Sequence, residues 1–237
     1  MFYREELFMP RELELDERLK LAASYVRPGA VFADVGCDHG RLSVWLMQKQ
    51  GASRGYACDI RPQPLEKARQ LIAKKQLADK VTPVLTDGLV GMAGKGITDV
   101  VIAGIGGEVL SHIVEEAEFL REPSVRVILQ PQSKEHLLRK TLYRLGYRIE
   151  EEKTVYSGRF LYTVMVASYC GDCREVDDLF AYTGLLPLEK CENNMEKLRR
   201  TAATLREIAA NMKNSPEKQG EFIQLEKLSE EILNLVS

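Results

Sequence analysis

The stretch Phe32 to Leu42, FADVGCDHGRL, places Asp34, Asp38 and His39 around two glycines, Gly36 and Gly40, where an apolar run meets a helical one. About twenty residues on comes Asp59, at the end of a second apolar run, RGYACDI, a spacing that suits recognition of a ribose diol. A third group, Thr86-Asp87-Gly88, follows VTPVL, and a fourth, AGIGG (103–107), ends another apolar run. These groups supply carboxylates, an imidazole and bare backbone, the parts of a site for a small cationic ligand carrying sugar hydroxyls.

Two cofactor classes use such a strand–turn–helix junction. A dinucleotide needs G-x-G-x-x-G, so that its pyrophosphate meets bare backbone at a helix N-terminus. Here the turn reads Gly36-Cys37-Asp38-His39-Gly40; the middle glycine is missing and a carboxylate would face the diphosphate. S-adenosylmethionine brings a sulfonium cation and a zwitterionic amino acid, which carboxylates suit. Asp59 would take its ribose hydroxyls, and the segment after the third strand its adenine.

Positioning these groups requires alternating strands and helices. Strands are expected at 30–36, 54–60, 81–88, 99–107 and 125–131, with helices between them. One is QPLEKARQLIAKKQL, apolar at Leu65, Ala68, Leu71 and Ile72, the helical period. Residues 147–169 read as two further strands joined at Ser157-Gly158. This predicts an α/β fold of the Rossmann-like class I methyltransferase type: a mostly parallel sheet with helices on both faces and an antiparallel edge. Beyond Leu188 strand signals cease. Cys191, Leu198, Leu205 and Met212 recur every seven residues with Ile208 between, and Phe222, Leu225, Leu228, Ile232 and Leu235 resume the pattern after Asn214-Ser-Pro216. A helical hairpin with a coiled-coil seam is expected, giving domains of 1–172 and 173–237.

The 45% hydrophobic and 29% charged composition of the 237 residues indicates a packed globular core. No apolar run approaches the roughly 18 residues of a membrane span. The start, MFYREELFMPRELELDERL, is charged where a secretion signal would be apolar, so a cytoplasmic protein with reduced cysteines is expected. Cys170-Gly-Asp-Cys173 has no second C-x-x-C or H-x-x-x-H to complete a zinc site; ordinary thiols and no metal are the expectation. A net charge of −2 argues against a protein coated in positive charge but leaves room for local basic patches.

Taken in order, LDERL (15–19), DVGCDHGRL (34–42), TDGL (86–89), IAGIGG (102–107) and ILQPQ (128–132) resemble the bacterial tRNA (adenine-N1)-methyltransferase family TrmK, which modifies the adenine at tRNA position 22. The resemblance runs from residue 15 to about 170, and the C-terminal hairpin agrees with that family's appended helical domain. AGIGG, in place of the Asn-Pro-Pro-Tyr of many base aminomethylating enzymes, is its most specific element. Cys37 stands where Ser is expected, Gln132 where Asn is common, and Trp45 makes the following helix bulkier. The resemblance implies S-adenosylmethionine as donor, S-adenosylhomocysteine as product and tRNA as substrate; a monomer is expected. The cofactor-binding residues it implies begin with Asp34, Gly36, Cys37, Asp38, His39 and Gly40. Asp59, Ile60, Thr86, Asp87, Gly88 and Leu89 follow, then Ala103, Gly104, Ile105, Gly106 and Gly107.

Adenine N1 carries an in-plane lone pair, so methylation needs alignment and support for a growing positive charge rather than deprotonation. Asp38, His39 and Arg18 are the catalytic candidates, with Tyr162 and Phe160 as walls for an unstacked base. Arg18, Gln130, Pro131, Lys197, Arg199 and Arg200 are the substrate-binding candidates. Two basic clusters could touch RNA: Lys134, Arg139, Lys140, Arg144 and Arg148, or Lys197, Arg199, Arg200 and Arg206. Two alternatives use the same fold: a small-molecule methyltransferase, which predicts a lid, and a non-catalytic RNA-binding protein, which predicts loss of Asp59 or of the glycine turn.

Overall fold

The computed structural model describes residues 13–213 and 215–236. The first twelve residues of the segment weighed as a secretion signal lie outside them, as does Asn214 of the helical break.

Seven strands form one sheet: β1 (Val31–Val35), β2 (Arg54–Asp59), β3 (Val81–Leu85), β4 (Asp99–Ile105), β5 (Arg126–Pro131), β6 (Tyr147–Ser157) and β7 (Phe160–Tyr169). Their order is β3-β2-β1-β4-β5-β7-β6. The first five run parallel; β7 is antiparallel to β5, and β6 to β7. The central strands are the continuously apolar ones, since both their faces are covered: Phe32, Val100, Val101, Ile102, Val127, Ile128 and Leu129 are fully buried. Pro83 lies in the edge strand β3, where its missing N–H costs no ladder bond.

Helices α1 (Glu17–Ser24), α2 (Arg41–Lys49) and α3 (Pro62–Lys74) cover one face; α4 (Gly107–Glu116) and α5 (Glu135–Arg144) cover the other. Asp16 starts α1 by accepting a hydrogen bond from Leu19 N at 2.8 Å, satisfying one otherwise unpaired donor. The strand order reverses between β1 and β4, so a crevice opens at their C-terminal ends. Two expected strands end two or three residues sooner than predicted. β3 stops at Leu85, leaving Thr86-Asp87-Gly88 as a loop, and β4 stops at Ile105, because Gly106 caps α4 and Gly107 is its first residue.

A short α6 (Asp178–Thr183), capped by Asp177, was not anticipated; it is followed by α7 (Glu192–Ala210) and α8 (Gln219–Leu235). The two long helices pack together, but their seam differs from the expected one. Met195, Leu198, Ala202, Leu205 and Ala209 are the buried positions of α7, whereas Cys191 is exposed and Ile208 is 41% exposed. The small alanines let α8 approach, and Ser229 Oγ donates to Ala202 O at 3.1 Å.

The hairpin is fastened to the sheet by polar contacts. Thr154 Oγ of β6 and Asn194 Oδ1 of α7 lie 2.7 Å apart in a buried hydrogen bond. Arg139, proposed from sequence as an RNA contact, is instead fully buried. Its Nε donates to Glu152 Oε1 at 3.0 Å, and its Nη1 to Ala181 O at 2.7 Å. Glu135 completes the group, receiving Lys197 Nζ at 2.6 Å and Arg139 Nη2 at 3.3 Å. Burial pushes the Glu135 carboxyl upward, but the Lys197 ammonium and Arg139 guanidinium outweigh it and hold the group below its ordinary range.

Candidate active site

The crevice at the C-terminal strand ends holds a cavity of about 500 Å³, large enough for a small organic ligand. The turn after β1 forms one wall. Gly40, at φ 69°, caps α2, and a Cβ there would lie 2.9 Å from that of Ala68 on α3; glycine lets the helices close beneath the site. Asp38 adopts a left-handed φ of 49°, an uncommon conformation that an aspartate tolerates better than most residues. Asp59, at the end of β2, holds this turn: its Oδ2 accepts from Asp38 N at 3.1 Å and its Oδ1 from Arg61 N at 2.9 Å. A carboxylate so fixed still has lone pairs facing the cavity that it lines.

Asp34 lies deeper and is almost wholly buried. Burial raises its carboxyl to about 6, even though Ser43 Oγ donates to Oδ2 at 2.6 Å and opposes the shift; the nearby Asp59 and Asp38 carboxylates add to it. An added cation would relieve this repulsion. The Cys37 and Cys58 thiols are pushed upward by burial, Cys58 to about 12, and are neutral packing groups. Asp38 and His39 stand at the exposed rim, His39 Nε2 lying 3.7 Å from Asp38 Oδ1.

The rim opposite is built on Gln130 of β5. Its side-chain oxygen accepts from Arg18 Nη1 at 2.6 Å and from Gly104 N at 3.1 Å, while its Nε2 donates to Pro131 O at 2.7 Å. Arg18 also pairs with Asp16 at 3.2 Å, and its guanidinium carbon sits 5.6 Å from the ring centroid of Tyr162 on β7. A Cβ at Gly104 would lie 3.1 Å from Arg18 Nη1, so this glycine makes room for the arginine.

Most expected cofactor residues meet around the cavity. The β1 turn contributes Asp34, Gly36, Cys37, Asp38 and His39; Asp59 and Ile60 follow from β2. Thr86, Asp87 and Gly88, then Ala103, Gly104 and Ile105, complete this set together with Arg18. Several others do not line it. Leu89 is buried behind the loop, Gly106 caps α4, and a Cβ on Gly107 would collide with the Lys134 carbonyl; these residues pack helix against loop. Gln130 is fully buried and Pro131 is buried too, so β5 contributes through Gln132, which faces the cavity. Sequence reasoning also missed Val109 and Ile113 of α4. With Ile60, which is 59% exposed, and Val109, 53% exposed, they offer apolar surface beside Asp87. Leu110, Ile113 and Val114 marked the buried face of α4, and Val109 beside them could have been found as an apolar residue off it.

Lys197, Arg199 and Arg200 lie away from this cavity on α7. Lys197 is committed to Glu135, while Arg199 pairs with Glu192 and Arg200 with Glu196 on exposed faces. Among the described residues no cluster of His, Cys, Asp or Glu is placed to hold a metal, and no helix is long and apolar enough to cross a membrane. Cys170 and Cys173 are free and exposed.

A family model described as "Methyltransferase domain" matches residues 15–165, from the start of α1's cap through most of β7. The chain belongs to this methyltransferase family. Beyond the domain, it is 28% identical over 235 residues to the tRNA (adenine(22)-N(1))-methyltransferase of Bacillus subtilis (strain 168), spanning 94% of this chain and 98% of that one. The crystal structure of the B. subtilis M1A22 tRNA methyltransferase TrmK superposes with a TM-score of 0.82 at 25% identity, covering 95% of this chain and all of that one. A Streptococcus pneumoniae protein in complex with S-adenosyl-L-methionine shares the fold, with a TM-score of 0.80 at 24% identity over 93% of this chain and all of that one.

Proposed function

We propose that this methyltransferase transfers the methyl group of S-adenosylmethionine to N1 of the adenine at position 22 of bacterial tRNA, as a cytoplasmic monomer. The observation that carries the reading is the extent of the similarity. It runs through the C-terminal hairpin to cover 98% of the B. subtilis tRNA enzyme, not only the donor-binding unit that methyltransferases of many substrates share. In this reading residues 1–172 are the catalytic unit and 173–237 the helical unit, with Val176, Phe180 and Leu185 of the latter packed onto the sheet core.

The residues present suit the donor. In this reading Asp59 takes the ribose hydroxyls, Ile60, Val109 and Ile113 the faces of the adenine with Asp87 at its edge, and Asp34 and Asp38 the cationic amino acid end; support for it is that all of them line the one cavity. S-adenosylmethionine supplies an electrophilic methyl group when bound. The work left to the protein is orientation and charge. Asp38 bears the exposed carboxylate of the turn and supports the positive charge that grows on the base; His39 stands beside it. Arg18 is a cation and does not stabilise a cationic base; tied to Gln130 and Asp16, it positions Tyr162 as a wall for the adenine and reaches toward substrate phosphate. Gly104, with its backbone held by Gln130, lets the base approach without a competing side chain. Arg199 and Arg200, with the more deeply paired Lys197, form the α7 contribution to tRNA contact.

A small-molecule methyltransferase would not need a hairpin of two long helices, and an inactive RNA binder would not need Asp59 and the carboxylate turn together. Incubation with radiolabelled S-adenosylmethionine and bulk bacterial tRNA, followed by nucleoside analysis, tests the reading. The expected product is 1-methyladenosine, formed more slowly when Asp38→Ala or Asp59→Ala replaces the native chain. No labelled nucleoside from tRNA, with donor binding intact, overturns it.

A further inference from the structure

The β6–β7 hairpin has a feature that neither donor binding nor packing uses. Leu129 of β5 pairs with Met165, while β7 begins at Phe160. The hairpin tip therefore overshoots the C-terminal edge of β5 and stands beside the mouth of the cavity. On such a ladder residues two apart share a face, which puts Phe160 and Tyr162 together; their rings are 6.2 Å apart and tilted at 53°. Each ring carries an arginine: Arg18 at 5.6 Å from Tyr162, Arg159 at 4.9 Å from Phe160. The row runs outward from the cavity as Arg18, Tyr162, Phe160, Arg159. Its inner member lines the cavity, and its outer ring is 53% exposed.

Phe160 contributes little to the fold, since half its surface stays in water and it opens the strand at a Ser157-Gly158-Arg159 turn. Aromatic faces flanked by guanidinium groups are the chemistry that holds unstacked nucleotides, the ring stacking on a base and the cation meeting phosphate. Methylating adenine N1 requires the base to leave its stack, which exposes the neighbour it leaves behind.

We infer that Phe160 is a nucleotide-stacking residue: it stacks on the base adjoining the target adenine and holds the opened strand while the adenine lies against Tyr162. Arg159 neutralises the phosphate between the two nucleotides. The inference rests on the tRNA reading above, and adds the residue that keeps the RNA open.

The test compares Phe160→Ala, Phe160→Leu and Phe160→Trp with the native chain. Each is measured for S-adenosylmethionine binding by calorimetry and for kcat and KM on tRNA. Loss of one base–aromatic stack is expected to lower kcat/KM for tRNA by roughly 10-fold or more in the alanine and leucine variants, with donor affinity unchanged. The tryptophan variant should retain activity, and its emission should be quenched on adding tRNA, measured against the native chain with its one tryptophan, Trp45. Leucine performing as well as phenylalanine, or all variants within 2-fold of native with no quenching in Phe160→Trp, would overturn the inference while leaving tRNA methylation standing. A native chain that fails to methylate tRNA would overturn the function instead, and the quenching experiment would still report whether Phe160 meets RNA.

Discussion

Asp34 should make donor binding depend on pH. Its carboxyl is raised to about 6, chiefly by burial and with help from the Asp59 and Asp38 carboxylates, while the Ser43 hydroxyl holds it down. In the arrangement proposed above, Asp34 meets the cationic end of S-adenosylmethionine, which calls for its ionised form. Lowering pH from 7.5 to 5 reduces the ionised fraction in the free protein to about one in eleven, so the apparent Kd should rise by about 10-fold. The donor in turn stabilises the charge, so binding at pH 6 should release protons, visible as a buffer-dependent heat in calorimetry. Ser43→Ala removes the side-chain hydrogen bond that favours ionisation while keeping the one from the backbone of residue 43, and should move the midpoint above 6. Asp34→Asn should bind weakly at every pH, with the slope gone, and His39→Gln should keep it. Affinity that stays flat from pH 7.5 to 5, or a slope that survives in Asp34→Asn, refutes the argument.

Four further outcomes follow from the same geometry. Without donor, Asp34 alone makes the folded protein hold more protons than the unfolded chain between 3.8 and about 6. Its contribution to stability therefore falls as pH rises through that window, by about 3 kcal/mol in total, measurable as the part of the pH dependence of the denaturation midpoint that Asp34→Asn removes. Asp59→Ala should weaken donor binding by about 1.5–3 kcal/mol, and Asp59→Asn, which can still accept one of the two backbone N–H groups, by less; calorimetry decides. Glu152→Ala leaves the fully buried Arg139 with Glu135, at 3.3 Å, as its one remaining carboxylate and should cost up to about 3–5 kcal/mol in urea denaturation, whereas Arg199→Ala, an exposed pair, should cost under about 1 kcal/mol. Truncation after Pro187 removes Asn194 from Thr154 and Lys197 from Glu135, so the product should be less stable. It should still bind donor, because the cavity lies between Arg18 and Gln132, and should methylate tRNA poorly.

The sheet was legible because its signals are local. Continuous apolar runs ending in Asp34, Asp59 or glycine marked the parallel strands, and the Ser157-Gly158 turn split 147–169 into β6 and β7. The helical hairpin was legible as a period but not as a seam. Heptad reading favours large apolar residues, and α7 instead buries Ala202 and Ala209 while turning Ile208 outward. On α5 the helical period sets Arg139 between Leu138, Leu142 and Tyr143 on the buried face, with Lys140 and Arg144 off it; what the period does not show is the partner that lets a guanidinium be buried there, Glu152, thirteen residues away on β6. A buried ion pair is a property of two segments at once.

The site divides the same way. Its floor follows from the β1 turn and the end of β2, where sequence spacing and position in the fold coincide, and these residues fall around one cavity. Its rim is assembled from α1, β4, β5 and β7, which are brought together only by the sheet order. Gln130 shows what this assembly does. As a sequence element it suggested a hand held out to substrate, yet it is fully buried, its oxygen shared between Arg18 Nη1 and Gly104 N. That one amide fixes three things: the backbone at Gly104, where the register of β4 against β5 shifts between Ala103 and Ile105, the guanidinium at the cavity edge, and through it the ring of Tyr162. Gln130→Ala should therefore leave donor affinity near native, since the floor is untouched, but lower turnover on tRNA, since Arg18 and Tyr162 lose their common anchor. Gln130→Glu keeps an acceptor for both donors, so it should restore much of that turnover above the carboxyl's own titration range. Equal loss in both variants would mean that the rim depends on the amide's donation to Pro131 O, rather than on the shared oxygen.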